Sequence, residues 1–229
     1  MKKRLIILSG AGMSAESGIS TFRDSGGLWD KYPIEQVATP EAWRANPALV
    51  LEFYNIRRKE LLGVKPNAGH FGLAEMEKDF EVQIITQNVD NLHEQVGSTK
   101  VLHLHGELMK VRSVGNETDI IELNAQRPEI FIGDVCEKGF QLRPHIVWFG
   151  EAVPLIEEAA RLTQTADIFV VIGTSLNVYP AAGLLGYVPK SVPIYLIDPN
   201  EVAVGCSGIH FIKKGASEGV KNLRNVLMC

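Results

Sequence analysis

Short apolar runs recur along the chain at LIIL (5–8), VQIIT (82–86), VLHLH (101–105), IFVVIG (168–173) and PIYLID (193–198). Their length, β-branched content and polar or turn-forming boundaries predict strands. Helical spacing of apolar positions lies between several of them, at 40–62, 67–79 and 154–165. Near-continuous apolar strands alternating with amphipathic helices predict a parallel sheet covered on both faces. Two stretches break this rhythm. Residues 33–66 read as a helical insertion. Residues 107–144 read as polar and irregular, with turns at Gly115-Asn116 and Gly133-Asp134. The expected fold class is α/β: a Rossmann-type parallel-sheet domain (1–32, 67–106 and 145–229) with a small discontinuous domain formed by the two insertions (33–66 and 107–144).

Ligands of such sheets bind beyond the carboxyl ends of the strands. Gly10, Gln87, His105, Thr174 and Asp198 all fall at or just after predicted strand ends, so they are expected to meet in one crevice. The first strand runs directly into GAGMSAESGISTFRDSGGLW (10–29). Gly10-x-Gly12-x-x-Ala15 satisfies a loose form of the dinucleotide fingerprint, in which glycines allow close backbone approach and the following N–H groups cradle a diphosphate. An ordinary dehydrogenase would continue with a helix, a second strand and an acidic residue about 20 positions on. Here Ser17 to Gly27 is rich in Ser, Gly and Thr around Phe22 and Arg23. That composition predicts a loop long enough to fold over a nucleotide.

Composition narrows the picture. A chain of 229 residues can bury a sizeable core in one large domain or two. The net charge of −4, with no basic stripe, argues against nucleic acid as a partner. Met1-Lys2-Lys3-Arg4 mimics the start of a signal peptide, but the apolar run after it is too short and lacks a cleavage site. No run approaches the roughly 20 residues of a membrane span, so no membrane association is expected. Cys136, Cys206 and Cys229 are scattered and odd in number, which suits a reducing cytoplasm.

Several residues could carry chemistry. His103 and His105 are two apart on a predicted strand and are expected to share a face. A metal pair would need a third ligand, and His70, His93 and His145 lack ligand spacing. A neutral imidazole at a strand end suits general-base work near pH 7. Asn88 or Asp90 could cap a helix or contact a ligand. Gly173-Thr174-Ser175 could be a bare turn or a set of donors for phosphate or ribose. Asp198, ending its strand, could bond ribose hydroxyls. Tyr54 and Arg57 share a helix face at i and i+3. They could be packed and solvated, respectively, or could grip a carboxylate together.

Taken whole, the 10–29 string resembles the cofactor segment of the sirtuins, the NAD-consuming protein lysine deacylases. TQNVDNLHEQVGS from Thr86, LHLHGEL from Leu102, RPHIVWFGE from Arg143 and GTSLNVYPAAGL from Gly173 also match, in the family's order and over nearly all of the chain. The resemblance implies NAD as cofactor and an acyl-lysine peptide or protein as substrate. In the first segment it implies cofactor contacts from Gly10, Ala11, Gly12, Ser14, Ala15, Thr21, Phe22, Arg23 and Trp29. In the second it implies Gln87, Asn88, Val89 and Asp90, with Asp90 accepting from the nicotinamide carboxamide and Asn88 holding a water near the ribose. Gly173, Thr174 and Ser175 match the segment facing phosphate and ribose. Asp198 stands where the family usually has Asn, and Ala216 matches the last position at the adenine site. His105 matches the general base, with Asn88 as a further catalytic residue.

The resemblance also bears on substrate. HIVWFGE matches an edge that pairs with the peptide, bringing in Val147, with Phe149 lining the tunnel for the lysine stem. Tyr54-x-x-Arg57 matches sirtuins that prefer acidic acyl groups. Succinyl- or malonyl-lysine is therefore the expected substrate, with acyl transfer to ADP-ribose and release of nicotinamide. The family's structural zinc needs two Cys-x-x-Cys pairs. Here Ser113 stands at the first cysteine position and only Cys136 lies in 107–144, so no metal is expected. Mono-ADP-ribosyl transfer or simple NAD cleavage in the same pocket is the rival activity. A silent NAD or ADP-ribose sensor is a rival of another class, against which the presence of His105, Asn88 and Asp90 argues.

Overall fold

The structure is a computed structural model describing residues 2–19, 28–202 and 208–228. Thr21, Phe22 and Arg23 lie outside the described residues. The chain begins with β1 (Arg4–Ser9) and α1 (Gly12–Ala15). Then come α2 (Leu28–Lys31), α3 (Ile34–Val37), α4 (Pro40–Ala45), α5 (Pro47–Gly63) and α6 (Ala68–Met76). Next are β2 (Glu81–Thr86), α7 (Leu92–Gln95), β3 (Val101–His103), β4 (Gly106–Ser113), β5 (Asn116–Glu122) and β6 (Leu142–Ile146). The rest comprises α8 (Ile156–Gln164), β7 (Ile168–Ile172), a 3-10 helix (Ala181–Tyr187), β8 (Ile194–Ile197), β9 (Ile209–Ile212) and α9 (Ala216–Met228).

The main sheet is parallel, in the order β3-β2-β1-β7-β8-β9. Side chains of successive residues leave a strand on opposite faces. On β1, Leu5 and Ile7 therefore enter a core with Met13, Leu73, Val170 and α9's Leu223. Ile6 and Leu8 enter the opposite core with Ile85, Phe169, Leu196 and α8's Ala159. Both faces are covered, which is why the strand reads as an unbroken apolar run. The chain builds outward from β1 through β2 to β3, then returns to β7 on the other side of β1. The order reverses between β1 and β7, and a crevice opens where the two outgoing loops part.

Residues 107–144 are irregular only in part, in the turns and loops of 123–141. They hold most of a second, antiparallel sheet in the order β5-β4-β6. Its alternation is hidden because β5 is mostly exposed and the β4–β6 register shifts between Gly106 and Val111. The expected helix at 40–62 is two helices. Asn46 ends α4 and caps α5, its Oδ1 accepting from Leu49 N at 3.1 Å, and Pro47 opens the new helix. The strand β9, the helix α9 and the 3-10 helix lie in stretches for which the pattern predicts no element.

α5 joins the second sheet to the rest. Phe53, Tyr54 and Leu61 pack with Leu108, Ile146 and Trp148, while Leu51 packs with Val111, Ile130, Cys136 and Leu142. Fully buried Arg58 donates from Nε to Leu108 O (2.7 Å) and from Nη1 to Asn55 Oδ1 (2.8 Å). Asn55 in turn donates to Ile130 O and accepts from Ile130 N. Cys136 Sγ donates to Ser113 Oγ at 3.3 Å inside the Leu51 cluster. No helix among the described residues is long and apolar enough to cross a membrane.

Candidate active site

The fingerprint glycines serve first to bring two loops together. A Cβ on Gly10 would lie 2.6 Å from Thr174 Cβ, and one on Gly12 would lie 2.7 Å from Gly173 Cα. Their N–H groups donate to Ile172 O (2.9 Å) and Gly173 O (2.8 Å). The turns after β1 and β7 are thus locked at the strand-order reversal, with Gly173 itself at a φ of 61°.

A cavity of about 770 Å³ opens from this junction. One end reaches Asp198 and Asn200 beyond β8; the other reaches Asp90, His105 and the residues of α5. Gly10, Ala11, Gly12, Ser14 and Ala15 line it from the first loop, together with Trp29. Gln87, Asn88, Val89 and Asp90 line it after β2, and Gly173, Thr174 and Ser175 after β7. Tyr54, Arg57, Val147 and Phe149 complete the wall at the α5 end. Ala216 is the exception: it is 3% exposed and packed in the core, and its neighbour Gly215 lines the cavity.

The polar groups form linked sets. Ser14 Oγ donates to Asp90 Oδ2 (2.9 Å) and accepts from Asn88 Nδ2 (3.0 Å). Asp90 Oδ1 accepts from Leu92 N (3.2 Å), so the carboxylate also caps α7. Burial pushes the Asp90 pKa up, against the pull of the Leu92 and Ser14 donors. Gln87 Nε2 donates to Thr174 Oγ1 across the crevice (3.2 Å). Asp198 Oδ1 accepts from Asn200 N (2.8 Å), and Oδ2 has no protein partner among the described residues.

The two histidines do not share a strand face. β3 ends at His103, and Leu104–His105 form a turn. His103 is buried, with Nδ1 on Asn88 O (3.1 Å) and Nε2 on Glu94 Oε1 (2.7 Å). Burial lowers its pKa, but the Glu94 hydrogen bond and charge, with lesser help from Glu107 and Asn88, raise it on balance. His105 instead lines the cavity and places Nδ1 3.0 Å from Gln87 O. Burial lowers its pKa, the Gln87 contact opposing only in part. The two imidazoles are therefore pushed in opposite directions, His103 up and His105 down.

At the α5 end, the Arg57 guanidinium lies 5.2 Å from the Trp29 ring centroid, 5.7 Å from Phe53 and 5.9 Å from Tyr54. It makes no ion pair with a described residue. Glu60 and Trp148 also line the cavity. Trp148 lies within the HIVWFGE segment, and Glu60 carried no sequence signal beyond its place one turn after Arg57.

The volume and the distribution of these groups fit a dinucleotide, with backbone turns at the centre and carboxylates at both ends. Fold and site thus define a dinucleotide-binding α/β protein with a basic histidine beside the nucleotide crevice. Comparison with known proteins is specific. Residues 10–180 match the Sir2 family model. A Bacteroides thetaiotaomicron NAD-dependent protein deacylase is 63% identical over 99% of this chain and 98% of its own length. A Helicobacter pylori protein of the same name is 54% identical over 86% of this chain and 85% of its own. Among solved structures, a Sir2 homologue in complex with ADP-ribose superposes with a TM-score of 0.89, at 38% identity over 99% of this chain and 94% of that one. A Sir2 homologue bound to NAD gives 0.87 at 37% identity, over 99% of this chain and 91% of that one. The chain belongs to the Sir2 family.

Proposed function

We propose that the protein is an NAD-dependent protein lysine deacylase that favours acidic acyl groups, succinyl- or malonyl-lysine above acetyl-lysine. One observation carries the acyl preference: a partly buried guanidinium that makes no ion pair with a described residue, though it feels the charges of Glu60 and Asp90, stands beside a buried phenol in the wall of the cavity. A buried cation left unpaired is costly, and a carboxylate brought by the substrate would offset that cost.

When bound, NAD supplies the electrophilic ribose carbon that takes the acyl oxygen as nicotinamide leaves. The chain's own residues divide the remaining work. His105 offers an unprotonated Nε2 to a ribose hydroxyl. Asn88 and Asp90, tied together through Ser14, present an amide and a carboxylate to the nicotinamide end. Asp198 offers Oδ2 to a ribose at the other end. Phe149, 44% exposed and on the cavity wall, would flank the lysine stem, and Val147 would pair with the peptide backbone. In this reading residues 1–32, 67–106 and 145–229 carry the cofactor. Residues 33–66 and 107–144 form the small domain, whose α5 supplies the acyl wall. The cytoplasm, with its reduced thiols, is the compartment we assign.

Incubation with NAD and acetyl-, succinyl- or malonyl-lysine peptides, followed by mass analysis of products, tests the activity. Free lysine peptide, nicotinamide and O-acyl-ADP-ribose are expected, fastest from the acidic acyl peptides. Nicotinamide release with the peptide still acylated would instead assign NAD cleavage or ADP-ribosyl transfer.

A further inference from the structure

Trp148 is held by charge on one side and spends its only polar atom on the other. Its Nε1–H donates to Tyr54 Oη at 3.1 Å. The Arg143 guanidinium carbon stands 3.3 Å from the Trp148 ring centroid. Glu151 ties the two together, accepting from Trp148 N (2.8 Å) and from Arg143 Nη1 (2.8 Å). Trp148 is 2% exposed and Tyr54 is 1% exposed, so water does not loosen this chain of contacts.

The direction of the Trp148–Tyr54 bond has a chemical consequence. An indole N–H only donates, whereas a phenol both donates and accepts. Trp148 therefore occupies the acceptor side of the Tyr54 hydroxyl. Among the described residues that hydroxyl has no other hydrogen-bond partner, so its proton remains to be donated. A cation over the indole draws electron density from the ring, and a bond received by a hydroxyl strengthens the bond it gives. Burial pushes the Tyr54 pKa up to about 12, so the proton stays in place across the working range.

We infer that Trp148 is a specificity-positioning residue: by donating to Tyr54 it commits that hydroxyl to serve as a donor to an acceptor-only carboxylate on the acyl chain. The Arg143–Glu151 pair holds Trp148 in the orientation that makes this bond. The inference rests on the acidic-acyl reading proposed above. An acetyl group carries no terminal carboxylate, so the device bears on discrimination between acyl groups.

The experiment compares kcat/KM on succinyl-lysine and acetyl-lysine peptides for wild type, Trp148→Phe, Tyr54→Phe and the double variant. Trp148→Phe keeps an aromatic ring under Arg143 and removes the N–H donor together with part of the indole's volume, a loss that the Tyr54→Phe background carries equally. One hydrogen bond contributes about 0.5–1.5 kcal/mol, so the succinyl-to-acetyl ratio should fall roughly two- to twelvefold. The double variant should match Tyr54→Phe alone, because the tryptophan acts only through the phenol. Glu151→Gln, which weakens the hold on Arg143, should lower the ratio in the same direction and lose that effect in the Tyr54→Phe background. It provides the same cycle if Trp148→Phe does not fold. An unchanged ratio in Trp148→Phe, or multiplicative losses in the double variant, would overturn the inference and leave the acidic-acyl reading standing. A wild type without preference for succinyl-lysine would overturn both.

Discussion

His105 Nδ1 lies 3.0 Å from the carbonyl oxygen of Gln87. A carbonyl accepts and cannot donate, so Nδ1 carries the ring proton and Nε2 is the basic atom. His105→Ala should retain NAD binding and lose deacylation by at least about 10²-fold, the usual contribution of a general base. The lowered pKa sets the pH profile. The base is active when unprotonated, so kcat/KM should be level at neutral pH and fall only below the ordinary histidine value of about 6.5. Near wild-type turnover in the alanine variant would remove His105 from the role.

The acyl wall predicts a selective loss. Arg57→Met should lower the succinyl-to-acetyl ratio of kcat/KM by about 30-fold or more, because truncating one partner of a buried charge pair costs roughly 2–5 kcal/mol. Tyr54→Phe should act in the same direction with a smaller effect, since one neutral donor is lost. Equal losses on both substrates would assign Arg57 to the fold or to general access.

Close approach of the β1 and β7 loops predicts that Gly12 tolerates no side chain. In Gly12→Ala the new Cβ would meet Gly173 backbone, which cannot rotate away. Overpacking of this kind costs roughly 1–3 kcal/mol. Thermal melts should show that loss, and calorimetric titration should show weaker NAD binding. Gly63→Ala, where nothing lies within 4 Å, is the matched control and should melt close to wild type.

Acid should destabilise the fold through a pair of buried histidines. His70 and His93 meet edge to face at 4.8 Å between ring centroids, under 2% exposed. Burial lowers their pKa values to about 4 and about 3, with the charges of His70 and then His103 also lowering that of His93. Both folded values lie below the unfolded value, so the unfolded chain binds protons first. Their contribution is full above about pH 6.5 and is lost as pH falls toward the folded values. For His93 alone the loss between pH 7 and 5 is about 2 kcal/mol. His103, with its raised pKa, has the opposite sign and loses its contribution as pH rises through its folded value. Urea titrations across pH should therefore show falling stability below pH 6.5. His93→Gln should shrink that slope by about one proton, and an unchanged slope would contradict the assignment.

The second sheet is predicted to stand without metal. Ser113 and Cys136 hydrogen-bond to each other within an apolar cluster, and Arg58 with Asn55 ties α5 to the strands. Elemental analysis of purified protein should give well under one zinc per chain, and a chelator should leave the melting curve unchanged. One tightly held zinc would reveal a ligand set other than the expected cysteines.

The sequence alone determined what depends on local pattern. Strands buried on both faces must be apolar throughout, so β1, β2, β7 and β8 were legible as runs, and their carboxyl ends marked the crevice. The glycine turn was marked by its place at a strand end, whereas the Gln87–Asp90 segment and the Tyr54/Arg57 pair were singled out by their resemblance to the sirtuins. Tertiary structure decided whatever depends on partners far along the chain. The second sheet escaped the pattern because one strand is exposed and a register shift hides the alternation of another. The different fates of His103 and His105 were set by Glu94 and by the Gln87 carbonyl. Spacing suggested a shared face, but the strand ends between the two residues. Gly12 met Gly173, and Trp148 met Tyr54 from 94 positions away. These are contacts of packing, and no local propensity encodes them.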